Sequence, residues 1–266
     1  MPIYDDYDDE PEDIFLPLSE EKYCAFYELE MGGFTDDLPF YTRHLPKHGH
    51  ILELGCGTGR VGRALAHKER QLTGIDISIP MLKKAASQDN HFCRYVGMDM
   101  AQLAFQRRFS AVIIPYNTLN LLTAPGSLSA CLAGCHSLLH DYGTLLVQLF
   151  VPHHTLLGQV GQKTTFQFQI LEDPGMGRVI KEILRTYDAQ TETIHIEERY
   201  RVRPSLKHRS NEDFSHTIEL SAWQEDRWRA LLTDSGFSVD HRYGEYDLSP
   251  FSPGQSSCLL LAAHIR

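Results

Sequence analysis

The residues best placed to do chemistry in this 266-residue chain form one short segment, Glu53-Leu54-Gly55-Cys56-Gly57-Thr58-Gly59. Glycines in such a run let the backbone turn tightly and approach a ligand, and a following helix points its amino end at that ligand. Two readings fit the spacing. Gly57, Gly59 and Gly62 satisfy GxGxxG, a dinucleotide fingerprint, whereas Gly55, Gly57 and Gly59 satisfy GxGxG preceded by an acid. A pyrophosphate is anionic and disfavours a neighbouring carboxylate, so Glu53 suits a ligand with an ammonium or sulfonium group better. Asp76 closes the next strand-like run, where a carboxylate accepts from both ribose hydroxyls. Asp99, in Gly97-Met98-Asp99-Met100, is suited to accept from an adenine amino group. Three acids at consecutive strand ends behind a glycine loop are together hard to ascribe to chance.

Positioning these residues requires alternating strands and helices. Apolar runs predict strands over 51–54, 71–75, 92–96, 109–114 and 144–150, with helices over 60–69, 80–87 and 128–139 between them. Such alternation implies an α/β, doubly wound, mostly parallel sheet of seven strands, completed by a helix over 223–233 and strands over 237–243 and 257–264. Between them the period changes to two: 165–171, 178–187, 191–202 and 216–222 alternate apolar and polar residues around Asp173-Pro174-Gly175 and Asp188-Ala189-Gln190. An antiparallel β insertion after strand five is expected there. The expected organisation is an N-terminal arm with helices (1–45), a cofactor-binding core (46–150 and 223–266) and a β lid (151–222). Within the arm, Ser19-Glu20-Glu21 starts a helix that Gly32-Gly33 stops, a second short helix spans 36–45, and Tyr4 and Tyr7 are expected to fold over the cofactor.

The chain has a net charge of −10, but seven acids and no Lys or Arg fall in its first 13 residues, so the body is only mildly acidic. That argues against a nucleic-acid-binding surface, although one local basic face would escape the count. No apolar run approaches the ~20 residues of a membrane span, and the acidic start lacks the features of a signal peptide. Cytoplasm is the default. Six cysteines without CxxC predict reduced thiols. Cys131, Cys135 and His136 share a helical spacing better explained by core packing than by metal, so no metal is expected.

Four segments, ILELGCGTGR, LTGIDIS with Met81, Leu82 and Ala85, VGMDM, and FSAVIIPYNTLNLL, resemble the class I S-adenosylmethionine-dependent methyltransferases, over about residues 36 to 266. The resemblance implies S-adenosylmethionine as cofactor, with Gly55, Gly57 and Gly59 on its methionine portion and Asp76 on its ribose. Ile77 and Met100 would flank the adenine and Asp99 would accept from its amino group. Glu53, Cys56 and Pro115 complete the expected cofactor set. A finer likeness is to glycine N-methyltransferase and the amino-sugar N,N-dimethyltransferases, whose motifs are similar to Tyr116-Asn117-Thr118-Leu119, to 37–41 and to 246–251. Leu121 stands where many of these relatives have a histidine.

Nucleic-acid amino-methyltransferases of the superfamily carry an acid or asparagine followed by Pro-Pro-Tyr or Pro-Pro-Phe where this chain has Ile114-Pro115-Tyr116-Asn117. A small-molecule acceptor is therefore expected, enclosed by the lid. Tyr116, Asn117, His153 and Tyr246 would surround it beyond the strand ends, Tyr116 and His153 as catalytic residues, His153 as base, and Asn117 and Tyr246 on the substrate. The activity implied is in-line methyl transfer. A cofactor-binding relative without methyl transfer and an NAD-dependent oxidoreductase are the alternatives. Neither nucleic acid nor membrane is expected as a partner, and a homodimer is one option for the oligomeric state.

Overall fold

The computed structural model describes residues 14–88, 90–153, 163–205, 210–256 and 258–266. The expectations for Tyr4 and Tyr7 lie outside the described residues. A two-residue strand, β1 (Leu16–Pro17), precedes helix α1 (Glu20–Met31). Ser19 caps α1, its hydroxyl accepting from the Lys22 N–H at 3.3 Å, and Glu20 and Glu21 sit in the first turn. Helix α2 (Leu38–His44) carries Pro39 in its first turn, where no N–H is missed.

The main sheet contains β2 (Gly49–Leu54), β3 (Arg70–Asp76), β4 (Cys93–Gly97), β5 (Phe109–Ile114), β6 (Leu139–Leu149), β11 (Phe237–Tyr243) and β12 (Leu259–Ile265). Their order is β11-β12-β6-β5-β2-β3-β4, parallel except at β12, which runs antiparallel to both neighbours. Alternation along each strand feeds two core layers. Leu52, Leu54, Val112, Ile114, Leu145 and Val147 face α5 (Ser127–Leu138) and α6 (Glu225–Asp234), where Leu132, Cys135, Trp228 and Leu232 meet them. On the other face Ile51, Ala111, Ile113 and Leu146 meet Phe40, Tyr41, Val61 and Leu65 of α2 and α3 (Arg60–Leu65). Each large side chain so buried contributes about 1.5–3 kcal/mol. Cys131 and Cys135 are core residues, and His136 packs edge-on against Phe237.

One helix departs from the sequence pattern. A helix over 60–69 is expected, yet α3 ends at Leu65, because Ala66 turns extended and His67 pairs with Arg70 through the backbone. The Arg70 guanidinium folds back to donate twice to the Leu65 carbonyl, at 2.9 and 2.8 Å, capping the helix end.

A second sheet stands apart from the first: β7 (Lys163–Asp173), β8 (Gly177–Asp188), β9 (Thr193–Arg203) and β10 (Glu212–Ser221) form antiparallel neighbours in sequence order. A fifth member was not expected. β1 joins in parallel beside β10, Leu16 opposite Phe214, so the arm forms part of this sheet. Two residues are too few to show a period in the sequence. One end of its inner face packs on Phe26 of α1 through Val179, Tyr200, Val202 and Phe214, and the other end packs near Phe150 through Ile194 and Leu220. Among the described residues no helix is long and apolar enough to cross a membrane. Helix α4 (Ile79–Ser87) lies between β3 and β4.

Candidate functional site

At the carboxyl end of β2 the chain passes through Gly55, Gly57 and Gly59, all in the left-handed region, with φ of 63°, 53° and 76°. A Cβ on Gly55 would lie 2.2 Å from Thr118 Cγ2, so the backbone there packs against the end of β5. Gly57 differs: its nearest neighbour is the Tyr27 ring, 3.7 Å from where a Cβ would be, which leaves a cradle that only a missing side chain provides. The Gly57 N–H donates to Asp76 Oδ2 and the Ser78 N–H to Oδ1, both at 2.9 Å. Asp76 is thereby fixed at the mouth of β3, and each oxygen keeps accepting capacity for a diol. This arrangement fits a ribose beside an adenosyl-type ligand.

Other sequence candidates divide by direction. Glu53 is 1% exposed and faces α3, with its Oε2 at the space a Gly62 Cβ would fill. Burial pushes its carboxyl up to about 8, against the pull of Arg60. It acts beneath the loop and not on its open side. The Cys56 sulfur points at Gly74, and burial pushes that thiol up too, so only its backbone belongs to the loop. Ile77 is 76% exposed beyond β3. Asp99 is exposed after β4, its Oδ1 accepting from the Ala101 N–H at 2.8 Å, while Met100 packs on the core. Pro115 is buried where β5 ends.

After Pro115 the backbone enters the left-handed region twice, at Tyr116 (φ 48°) and Asn117 (φ 61°), before a 3-10 turn over Thr118–Leu121. Such strain in non-glycine residues is found where geometry serves a site. Gln148 of β6, fully buried, holds this corner. Its Oε1 accepts from the Tyr116 N–H at 3.2 Å and its Nε2 donates to the Tyr246 hydroxyl at 2.6 Å. Phe34 packs edge-on against both Tyr116 and Tyr246, at 6.1 and 5.4 Å between centroids. Asn117 Oδ1 is buried with no hydrogen-bond partner among the described residues. Gln148 and Phe34 thus bring Tyr116 and Tyr246 together, with Asn117 next in the chain. His153 follows β6, half-buried.

Several partners were invisible in the sequence. Arg60, the first residue of α3, makes a two-pronged pair with the fully buried Asp37, both contacts at 2.7 Å, and donates to the Phe34 carbonyl at 2.8 Å. The α1–α2 connection is so strapped to the glycine loop. Across from it, Lys181 of β8 contacts Glu30 of α1 at 2.6 Å and Glu198 of β9 at 2.7 Å. Glu198 also accepts from the Tyr200 hydroxyl and pairs with His216 at 2.8 Å. Burial works against ionising Glu198, but the His216 hydrogen bond and the Lys181 ammonium outweigh it and hold the carboxyl at about 2. The Tyr23 ring lies tilted at 51° to that of His216, with centroids 4.6 Å apart. Burial pushes the Tyr116 hydroxyl up, with Glu30 and Glu198 adding to the rise and Lys181 and Arg60 opposing it. Tyr116 therefore stands where α1, the glycine loop and the polar belt of the second sheet come together. Spacing gives no sign of pairs whose members lie 23 or 151 residues apart.

Residues 51–143 match a family model described as a methyltransferase domain. The chain is 33% identical to YqeM of Bacillus subtilis over 105 residues, 38% of this chain and 42% of that one. It is 26% identical to the dTDP-3-amino-3,6-dideoxy-alpha-D-glucopyranose N,N-dimethyltransferase of Streptomyces fradiae over 203 residues, 76% of this chain and 75% of that one. The match thus spans less than half the length of the first relative and three quarters of the second. Among solved structures, SAM-bound CalS10, an amino pentose methyltransferase from Micromonospora echinaspora involved in calicheamicin biosynthesis, superposes with a TM-score of 0.71 at 18% identity, covering 96% of this chain and 100% of that one. That likeness shows the fold.

Proposed function

From the premise that the chain carries a methyltransferase domain on a class I S-adenosylmethionine-dependent fold, we propose that it transfers a methyl group from S-adenosylmethionine to a small-molecule acceptor. The observation that carries the reading is the Gly57–Asp76 clasp at neighbouring strand ends, beside an open cradle that a side chain would close. Asp76 takes the ribose hydroxyls, the backbone of Gly55, Gly57 and Gly59 holds the methionine portion, and Ile77, Asp99, Met100 and Pro115 take the adenine. When bound, the cofactor supplies an electrophilic methyl group on a sulfonium. What remains for the protein is alignment and exclusion of water. Tyr116 and Asn117, fixed by Gln148, line the acceptor side together with Tyr246. His153 takes the proton of an acceptor that arrives protonated.

The acceptor class we favour is an amine on a nucleotide-linked sugar, because the Streptomyces fradiae relative, whose name states that substrate, aligns over both core and lid. Arg185 supports an anionic acceptor. It hydrogen-bonds Gln167 at 3.1 Å, and among the described residues no carboxylate lies within ion-pair distance of its guanidinium.

Calorimetry tests the cofactor: S-adenosylhomocysteine should bind, NAD should not, and Asp76→Ala should weaken binding by about 10–100-fold, the worth of a charge-assisted hydrogen bond. Methyl-transfer assays with amino-sugar nucleotides, tRNA and DNA test the acceptor. Labelling of a nucleic acid would overturn the small-molecule reading, and unchanged affinity in Asp76→Ala would remove that residue from the site.

A further inference from the structure

A chain with 35 acids against 25 Lys and Arg has one local face where the balance reverses. It lies at the amino ends of the parallel strands, on the edge of the main sheet opposite the glycine loop. There the start of β2, the turn before β3, the loop into β5 and the start of β6 surround an open cavity of about 380 Å³. Its lining includes Lys68, Arg107, Arg108, His50 and His140 against a single acid, Glu69. That acid is engaged by the His48 ring, at 3.1 Å. The cations lack counter-charges. Among the described residues no carboxylate lies within ion-pair distance of Lys68 or Arg107. Arg108 pairs with Asp141 at 3.2 Å, but the members are 56% and 87% exposed, and such pairs contribute little. The two terminal nitrogens of Arg107 lie 3.4 and 2.8 Å from Nε2 and Nδ1 of His50. A neutral imidazole has one acceptor nitrogen, so at most one of the five guanidinium donors is satisfied there, and a protonated ring would satisfy none. Burial, and after it Arg107 and Arg94, hold His50 below its ordinary value, which keeps the ring neutral at pH 7. The floor adds the Ser110 hydroxyl, which has no hydrogen-bond partner among the described residues. It sits against Gly49, where any Cβ would collide with it.

We propose that this cavity binds a small anion carrying a phosphate or diphosphate group, up to the size of a nucleotide. Arginine forks and lysine are the side chains that recognise phosphate oxygens, and imidazole and hydroxyl donors complete the set. A monocarboxylate would leave most of this positive charge uncompensated, whereas a phosphate monoester brings about −1.5 to −2 charge and three acceptor oxygens. The volume lies at the lower end of the ~300–1,000 Å³ of small-ligand sites. A nucleic-acid backbone needs phosphate contacts repeated along a surface. Here the cations face one cavity, and Glu69 and Asp141 beside it repel a longer polyanion. A ligand bound at this edge neither displaces the cofactor from Asp76 nor depends on methyl transfer.

Calorimetry with inorganic pyrophosphate on the full chain, at fixed ionic strength, tests this without any acceptor. One site per chain is expected, with a dissociation constant below about 1 mM. Arg107→Gln should weaken it by about 10–100-fold, the worth of a charge-assisted hydrogen bond, while leaving circular dichroism and S-adenosylhomocysteine binding unchanged. Neither Asp76→Ala nor saturating S-adenosylhomocysteine should alter pyrophosphate binding, which separates this site from that of the cofactor. In NMR titrations the His50 ring resonances, assigned with His50→Gln, should shift in step with pyrophosphate saturation. A nucleoside diphosphate that binds more tightly than pyrophosphate makes the ligand a nucleotide, and equal binding makes it the phosphate group alone; either result supports the site. No saturation up to ~10 mM pyrophosphate, or binding indifferent to Arg107→Gln, would overturn the proposal. So would a single-stranded RNA oligonucleotide that binds more tightly than the nucleoside diphosphate and is released steeply by salt.

Discussion

Replacing Asp37 by asparagine keeps the shape of the side chain and removes its charge, and the consequence follows from the burial of the Arg60 pair. The side chains are 7% and 0% exposed, with the two-pronged contact at 2.7 Å on each side. Breaking a buried pair by removing one member costs about 3–5 kcal/mol, against about 0–1 kcal/mol for an exposed pair. For a chain of this size the loss corresponds to roughly 6–20 °C in Tm. The partners should not be equivalent. A carboxylate left unpaired by Arg60→Met escapes part of the penalty by taking up a proton, whereas a guanidinium left by Asp37→Asn cannot shed one. Asp37→Asn should therefore destabilise more than Arg60→Met at neutral pH. The double variant Asp37→Leu with Arg60→Met should sit within about 1–3 kcal/mol of the native chain, the residue of the loss being the orphaned Phe34 carbonyl. Urea unfolding followed by tryptophan fluorescence measures all of them. A loss under about 1 kcal/mol for Asp37→Asn, or a double variant as damaged as the sum of its singles, would refute the reasoning.

Gly57→Ala should fold at the modest cost of an alanine in the left-handed region, since nothing but the Tyr27 ring lies near the added Cβ, yet lose S-adenosylhomocysteine binding in calorimetry, whereas Gly59→Ala also meets the Tyr95 hydroxyl and should lower Tm further. Glu53 sits at about 8 when folded, above its ordinary 4.5. Its contribution is thus complete below pH 4.5 and lost as pH rises toward 8, so Glu53→Gln should gain on the native chain across that window by up to a few kcal/mol in urea titrations. Glu198, held at about 2, has the opposite sign: its contribution is present above 4.5 and lost as pH falls toward 2. Glu198→Gln should cost on the order of 3 kcal/mol at pH 7, with the difference fading in acid. Lys181→Met leaves Glu30 and Glu198 facing each other and should loosen α1 from the lid, seen as faster hydrogen exchange in 20–31.

The strands were legible because β2, β5 and β6 are buried on both faces and read as continuous apolar runs, while β8 to β10 alternate. Local chemistry also showed the start of α1 at Ser19 and the glycine loop. What stayed hidden was pairing at long range. Arg60 and Arg70 flank the helix expected over 60–69 with no mark of a role, yet one anchors a buried aspartate and the other caps α3, and both roles depend on partners that only the fold supplies. Glu53 shows the same limit from the other side. Its position in the motif is plain, but whether a β2 side chain faces ligand or core depends on what packs against it, and Gly62 leaves room for it to point inward.

The pairing of Leu16 with Phe214 has a consequence for how the protein is made. Strand β1 finds its neighbour only after most of the second sheet has been synthesised, and α1 waits 190 residues for its tie from Lys22 to Glu212 and 151 for that from Glu30 to Lys181. Contacts of such sequence separation close late and slowly. Helix α1 is therefore made well before its partners and is among the last elements to dock, and the glycine loop it covers stays open through synthesis. A nascent chain stalled before β10 would hold a finished glycine loop with no roof.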